Sequence, residues 1–233
     1  MKKRFLTYLL AGLLVFAPVT IPWLADSTAY AGVWGKVVQV QSQEFTSSGT
    51  WTRPDNVEWV DVLLVGAGGA GDDEVLDGSG GGGEILEKRV RVTENVSVTI
   101  GAGSKADGAD STFGTLLTAH GGKIGTGAIG GDGGGVFGGA GNDEAVGGDG
   151  GAGSGVTGGG AGGDGEHNGG DCPGYGSGGV GSVSGSGGGG SYGDGAAGGV
   201  AGGGNTGGGG SSKAGGVDGW FGGSGYCIVY WVE

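Results

Sequence analysis

The sequence predicts a mainly β protein in two parts, a small β-sheet region followed by a bundle of polyglycine II helices, with little α-helix beyond an N-terminal leader. Three observations predict it. Glycine supplies 70 of 233 residues, more than four times the roughly 7% of ordinary chains, with only 4 Pro and no strict Gly-X-Y period with proline, which excludes collagen. Apolar runs of strand length fill the first half and close the chain. Between them, about half of residues 121–225 are glycine, in a phase of three.

The expected organisation is a leader over residues 1–31, a strand region over 32–120, a glycine bundle over 121–225 and a strand over 226–233 that returns to the sheet. Lys2, Lys3 and Arg4 precede an uncharged run over 5–25, and Ala29-Tyr30-Ala31 gives a small-x-small cleavage pattern. A cleaved signal peptide is one reading. An uncleaved anchor is the other, although Pro18 and Pro22 interrupt the run. Both place the rest of the chain outside the cytoplasm, as a secreted, cell-surface or virion protein.

Strands are expected over 36–45, 58–65, 84–92, 96–100 and 226–232, with a weaker one over 113–121. Ser47, Ser48 and Gly49, then Pro54, Asp55 and Asn56, read as turns. Thr93-Glu94-Asn95 reads as a tight turn closing a hairpin. Trp51 and Trp59 are assigned to the β core.

In the glycine field the triplet Gly-Gly-x recurs, for example at Gly130-Gly131-Asp132, Gly162-Gly163-Asp164, Gly169-Gly170-Asp171 and Gly178-Gly179-Val180. A polyglycine II helix has three residues per turn and no internal hydrogen bonds, so its N–H and C=O groups must be paired outside it. Neighbouring backbones supply those partners only where no side chain separates them, which places glycine on inward faces. Breaks in phase at Val136 and Phe137, 142–146, Val156 and Thr157, 166–168 and 172–175 are the expected turns. A flexible Gly/Ser linker is the alternative; the triplet phase and the apolar last strand speak against it.

Several motifs carry less than their letters suggest. Gly66, Gly68 and Gly71 follow a strand at G-x-G-x-x-G spacing, but no helix can form over 72–83, and Asp72, Asp73, Glu74 and Asp77 repel a pyrophosphate. Gly138 to Asp143 spell G-G-x-G-x-D once, with Ala145 where a large apolar residue is needed, and read as a solvated acidic turn rather than a calcium site. Gly189 to Gly193 spell G-x-S-x-G without the strand and helix of a nucleophile elbow. His120 and His167 have no ligand partners at metal spacing. No catalytic residue, cofactor or metal is therefore expected, and the protein is read as not an enzyme. A net charge of −13 makes nucleic acid and anionic membrane poor partners. Membrane contact is expected only through an uncleaved leader.

Residues 45–71 ("FTSSGTWTRPDNVEWVDVLLVGAGGAG"), 80–104 ("GGGGEILEKRVRVTENVSVTIGAGS"), "STFG" at 111–114 and the closing "GGSGYCIVYW" at 222–231 resemble the glycine-rich domain of phage tail-fibre adhesins and related surface proteins. The resemblance implies a layered polyglycine II bundle whose connecting loops contact a host receptor. Phe137, Tyr175, Tyr192, Trp220 and Phe221 are the candidate contact residues; each also fits as a filler of bundle ends or sheet surface. Cys172 and Cys227 either form a disulfide or remain thiols. The expected role is adhesion to a host-cell receptor or glycan. Self-assembly into a fibre or coat is the alternative, and ice binding a further one.

Overall fold

The computed structural model describes residues 28–31, 37–72, 78–126, 129–141, 152–153, 159–160, 162–163, 168–172, 174–179, 188–197, 201–211 and 221–233. The leader expected over 1–31 lies outside them except for residues 28–31. The chain divides into two compact units, 1–40 and 41–233. In the first, β1 (Thr28–Ala31) pairs antiparallel with residues 37–40 of β2 (Val37–Phe45).

The second unit is mainly β, as the sequence predicts, with two small antiparallel sheets. The remaining strands are β3 (Gly49–Trp51), β4 (Trp59–Val65), β5 (Ile85–Arg91), β6 (Val96–Thr99), β7 (Ser111–Phe113), β8 (Leu117–Ala119) and β9 (Tyr226–Val232). One sheet runs β2-β9-β4-β5 and the other β3-β6-β7-β8. The last strand of the chain thus sits inside the first sheet, bonded to β4 from Asp61↔Tyr230 to Val65↔Tyr226.

Alternation along β4 explains the layering. Val60, Val62 and Leu64 face Trp51, Val96, Val98 and Phe113 of the second sheet, with Cys227 and Val229 of β9 beside them, so the sheets enclose one apolar core. Trp51 is fully buried, with the Trp231 ring edge-on at 5.7 Å. Leu63, Val65 and Ile85 point to the opposite face and pack with Tyr226, Ile228 and Cys172.

Four expectations are corrected. Residues 84–92 and 96–100 do not form a hairpin: β5 pairs with β4, and β6 pairs with β3 and β7, because the chain crosses from one sheet to the other after Val92. The single strand expected over 113–121 is a hairpin of β7 and β8, turned at Gly114, whose φ of +54° favours glycine. Gly49 begins β3 rather than ending a turn. Trp59 is 49% exposed instead of buried, since it falls on the odd-numbered face of β4.

The glycine segments are neither strand nor helix, and their backbones bond to one another. Residues 78–84 lie at the centre. Ser79 and Gly82 donate to Gly163 and Gly160, Gly80 and Gly83 to Gly210 and Gly207, and Gly81 and Glu84 to Lys123 and His120, all at 2.8 or 2.9 Å. Their carbonyls repeat the pattern. Gly78, Gly81 and Glu84 accept from Asp72, Gly69 and Gly66, and Ser79 and Gly82 accept from Gly131 and Gly134. Gly80 accepts from Gly189 and Gly83 from the Ser191 hydroxyl. Each direction recurs every third residue, not every second as in a strand, so one segment serves six neighbours.

Such contact leaves no room for side chains. A Cβ on Gly80, Gly81, Gly82 or Gly83 would lie 2.0, 2.1, 2.0 or 2.1 Å from a neighbour's carbonyl oxygen. Peripheral segments carry one exposed residue in three, as at His120, Lys123 and Thr126. The acidic residues there are tied down: Asp110, Asp132, Asp171 and Asp194 accept from the backbone N–H of Gly121, Gly141, Gly178 and Ser177. Asp107 accepts from Ile124 N–H and from Lys123 Nζ at 2.9 Å.

Gly82→Ala is expected to destabilise the protein by at least about 3 kcal/mol, the upper range for forced overpacking. Nothing lies within 4 Å of a Cβ on Gly204, so Gly204→Ala is expected to be neutral or stabilising by up to about 1 kcal/mol. Urea denaturation of the two variants checks both.

Candidate functional site

Alternation leaves a mixed row of side chains on the outer face of the first sheet. Register places Tyr230, Asp61 and Arg89 side by side on β9, β4 and β5, with Ile228, Leu63 and Glu87 in the next row toward the glycine bundle. Tyr175 and Tyr192 come over this face from two glycine segments. The Gly176 N–H bonds to the Ser191 carbonyl at 2.7 Å, which brings the two tyrosines together.

The rings form a continuous series. Tyr175 and Tyr192 have centroids 5.9 Å apart and tilted, and Tyr192 stacks on Tyr226 at 5.8 Å with 23° between planes. Tyr226 is buried, while Tyr192 and Tyr230 are 37% and 38% exposed. Tyr175, Tyr192 and Tyr230 with the charged row bound a cleft of 540 Å³, within the range of small-molecule sites. Below it, the Arg89 guanidinium lies 5.9 Å from the centre of the Trp59 ring, a cation–π contact.

Burial, then the hydrogen bond its hydroxyl donates to Glu87, raises the Tyr175 pKa above the ordinary phenol value. Burial and a bond to Glu44 do the same for Tyr226, and burial raises Tyr230. Tyr175, Tyr226 and Tyr230 therefore stay neutral hydroxyl donors in alkaline solution.

Of the five candidate contact residues, the structure brings Tyr175 and Tyr192 together. Phe137 is exposed on the turn closed by the Gly138 N–H to Gly135 carbonyl bond. Phe221 is exposed beneath Lys105, whose Nζ is 5.8 Å from the ring centre. Neither lines the cleft. Trp220 lies outside the described residues. Sequence reading missed Tyr226, Tyr230, Asp61, Glu87 and Arg89; the alternation of β4 was the available signal, but the register with β5 and β9 was not.

The Cys172–Cys227 pairing is not made: both are free, buried thiols. Cys227 points into the core between the sheets and Cys172 packs on the opposite face, so a strand layer separates them. Burial pushes Cys172 up to about 11 and Cys227 up to about 12. The Ser191 hydroxyl donates to the Gly83 carbonyl at 2.7 Å and is wholly buried, so it holds the bundle together. His120 Nδ1 lies 3.3 Å from Asp110 on the surface. His167, Asn142 and Asp143 lie outside the described residues. Among the described residues no three His, Cys, Asp or Glu gather as metal ligands, and no helix is long and apolar enough to cross a membrane.

A family model described as a glycine-rich domain matches residues 42–232. The chain belongs to the glycine-rich domain family. No curated protein matches it. The matched span of this glycine-rich domain takes in both sheets of the second unit and the whole glycine field, so β9 is part of the domain and not an appendage.

Two titrations check the site. The phenol pKa of Tyr175 and Tyr226 is raised on folding, so stability is complete below about pH 10, the unfolded value, and falls as pH rises through it. Phenolate absorbance is expected to show these tyrosines ionising later than in the unfolded chain, with unfolding accompanying the last of them. At pH 8 the native chain is expected to leave both thiols unreacted with a disulfide reagent, and the unfolded chain, without added reductant, to react at both.

Proposed function

We propose that this glycine-rich domain is a non-catalytic extracytoplasmic adhesin, on a cell surface or a virion, that engages its receptor through the tyrosine cleft. The observation carrying the proposal is the convergence of Tyr175 and Tyr192, from separate glycine segments, on a charged strand row. Aromatic rings held on a rigid scaffold supply contact area at low entropic cost. The leader supports export, and the phage tail-fibre resemblance supports a receptor-binding role.

We infer further that the glycine segments are a polyglycine II bundle. The three-residue repeat of donor and acceptor directions over 78–84 supports it, as does the carbonyl contact against each of its four consecutive glycines. In this reading the receptor surface is the side where bundle meets sheet, rather than the bundle tip that the sequence suggests.

A second reading, self-association into a fibre or coat, draws on the turn carrying Val136 and Phe137, which are 89% and 55% exposed. The two separate cleanly. Adhesion predicts saturable binding of labelled protein to a panel of cell surfaces, weakened at least about tenfold by Tyr175→Ala and by Tyr192→Ala, as for interface hot spots. Self-association predicts a sedimentation coefficient that rises with concentration and is reduced by Phe137→Ser. Binding that survives both tyrosine variants overturns adhesion through this cleft.

A further inference from the structure

We propose that the occupant of the tyrosine cleft is a neutral sugar ring of a surface glycan, an inference that rests on the adhesin reading above and names its ligand class. The floor of the cleft narrows the alternatives. β4 is bonded along 61–65 to β5 on one side and to β9 on the other, so a peptide strand could add only along the outer edge of β5, beside the cleft and not on its floor.

Charge excludes a second class. Asp61 and Glu87 face the cleft with Arg89, while Lys88 stands level with Val62 on the other face of the sheet, so carboxylates outnumber the cation locally, and the chain as a whole carries −13. A phosphate or a polyacidic ligand therefore gains little here and is repelled at longer range. A purely apolar ligand would strip water from two carboxylates and a guanidinium without replacing their hydrogen bonds.

A pyranose meets each remaining demand. One face of the ring presents C–H groups, which suit the negative face of an aromatic ring; half-exposed Tyr192, backed by the buried Tyr226, offers such a face. The hydroxyls around the rim both donate and accept. Asp61 accepts from them, Arg89 donates to them, and the Tyr230 hydroxyl does either. These three side chains stand in one row across three strands, about 10 Å from end to end at ordinary strand spacing. Tyr175 is held by its bond to Glu87, so it walls the cleft in a fixed orientation.

The test uses the full chain on an immobilised panel of neutral hexose, N-acetylhexosamine and acidic glycans, followed by calorimetric titration of those it retains. Neutral glycans are expected to bind. Tyr192→Ala and Asp61→Asn are each expected to weaken that binding about tenfold or more, while Tyr192→Phe, which keeps the ring, stays within about threefold. Asp61 is exposed on its strand, so Asp61→Asn reads out ligand contact without a folding penalty; native amide exchange of each variant checks this. Retention of acidic glycans alone, or neutral binding indifferent to Tyr192→Ala and Asp61→Asn, overturns the inference. Cell adhesion that is lost on Tyr192→Ala, survives periodate oxidation of the cell surface and is abolished by protease also overturns it, in favour of a protein receptor, and leaves the adhesin reading standing. Cell adhesion that persists in Tyr192→Ala removes both.

Discussion

The close approach of bare backbones is the constraint on which the rest of this structure depends. Residues 78–84 take hydrogen bonds to six neighbouring segments, and at each of the four glycines 80–83 a carbonyl oxygen lies where a Cβ would otherwise stand. Ordering a residue costs about 1–2 kcal/mol of backbone entropy, and glycine lies at the costly end. A backbone hydrogen bond returns about 0.5–1.5 kcal/mol net. The two effects nearly cancel, so a glycine bundle of this kind does not have a wide margin of its own.

The sheets provide what the bundle lacks. Val65, Ile85 and Tyr226 sit at the ends of β4, β5 and β9 where these strands pass directly into glycine segments, and Cys172 covers them from within the glycine field. On the other face of the same strands, Val60, Val62, Leu64 and Val229 join Trp51 and Phe113 in the larger core. Burying one large apolar side chain stabilises by about 1.5–3 kcal/mol, several times a net hydrogen bond. The strands are thus nuclei from which glycine segments run out already aligned: β4 leads into 66–72, and 78–84 leads into β5. β9 closes the arrangement by placing the end of the glycine field beside its beginning, and the Gly225 N–H to Gly101 carbonyl bond fastens that end.

How much of this was legible depended on how local the signal was. β9 was legible to the residue, because seven consecutive apolar or aromatic positions after a glycine run admit little else. The phase of three was legible as well, since one exposed residue in three is a property of each segment alone. β3 was hidden because its three residues, Gly49, Thr50 and Trp51, follow turn-forming serines and are held by pairing with β6. The crossing between sheets after Val92 was hidden because a tight turn and a crossover use the same residues. The candidate site was half legible. Tyr175 and Tyr192 stand out as aromatics in a glycine field, but the bond from Gly176 to Ser191 that joins them spans sequence-distant segments, and the strand row beneath them depends on register.

The position of the cleft follows from the composition of the bundle. A segment with glycine on its inward faces can project only one side chain in three, so within any one such segment large residues are kept apart by the geometry that packs the backbones. A strand has the opposite property. Its successive side chains on one face stand close together, and neighbouring strands add to the row. Several large and charged groups can therefore gather in one row where glycine segments lie against a sheet, and the outer face of β4, β5 and β9 is such a place. There the bundle contributes single tyrosines in fixed positions, and the sheet contributes Asp61, Glu87, Arg89 and Tyr230 in register. A surface assembled from two rigid parts loses little freedom when it meets a partner, and low ordering cost is a large part of what separates a specific contact from a weak one.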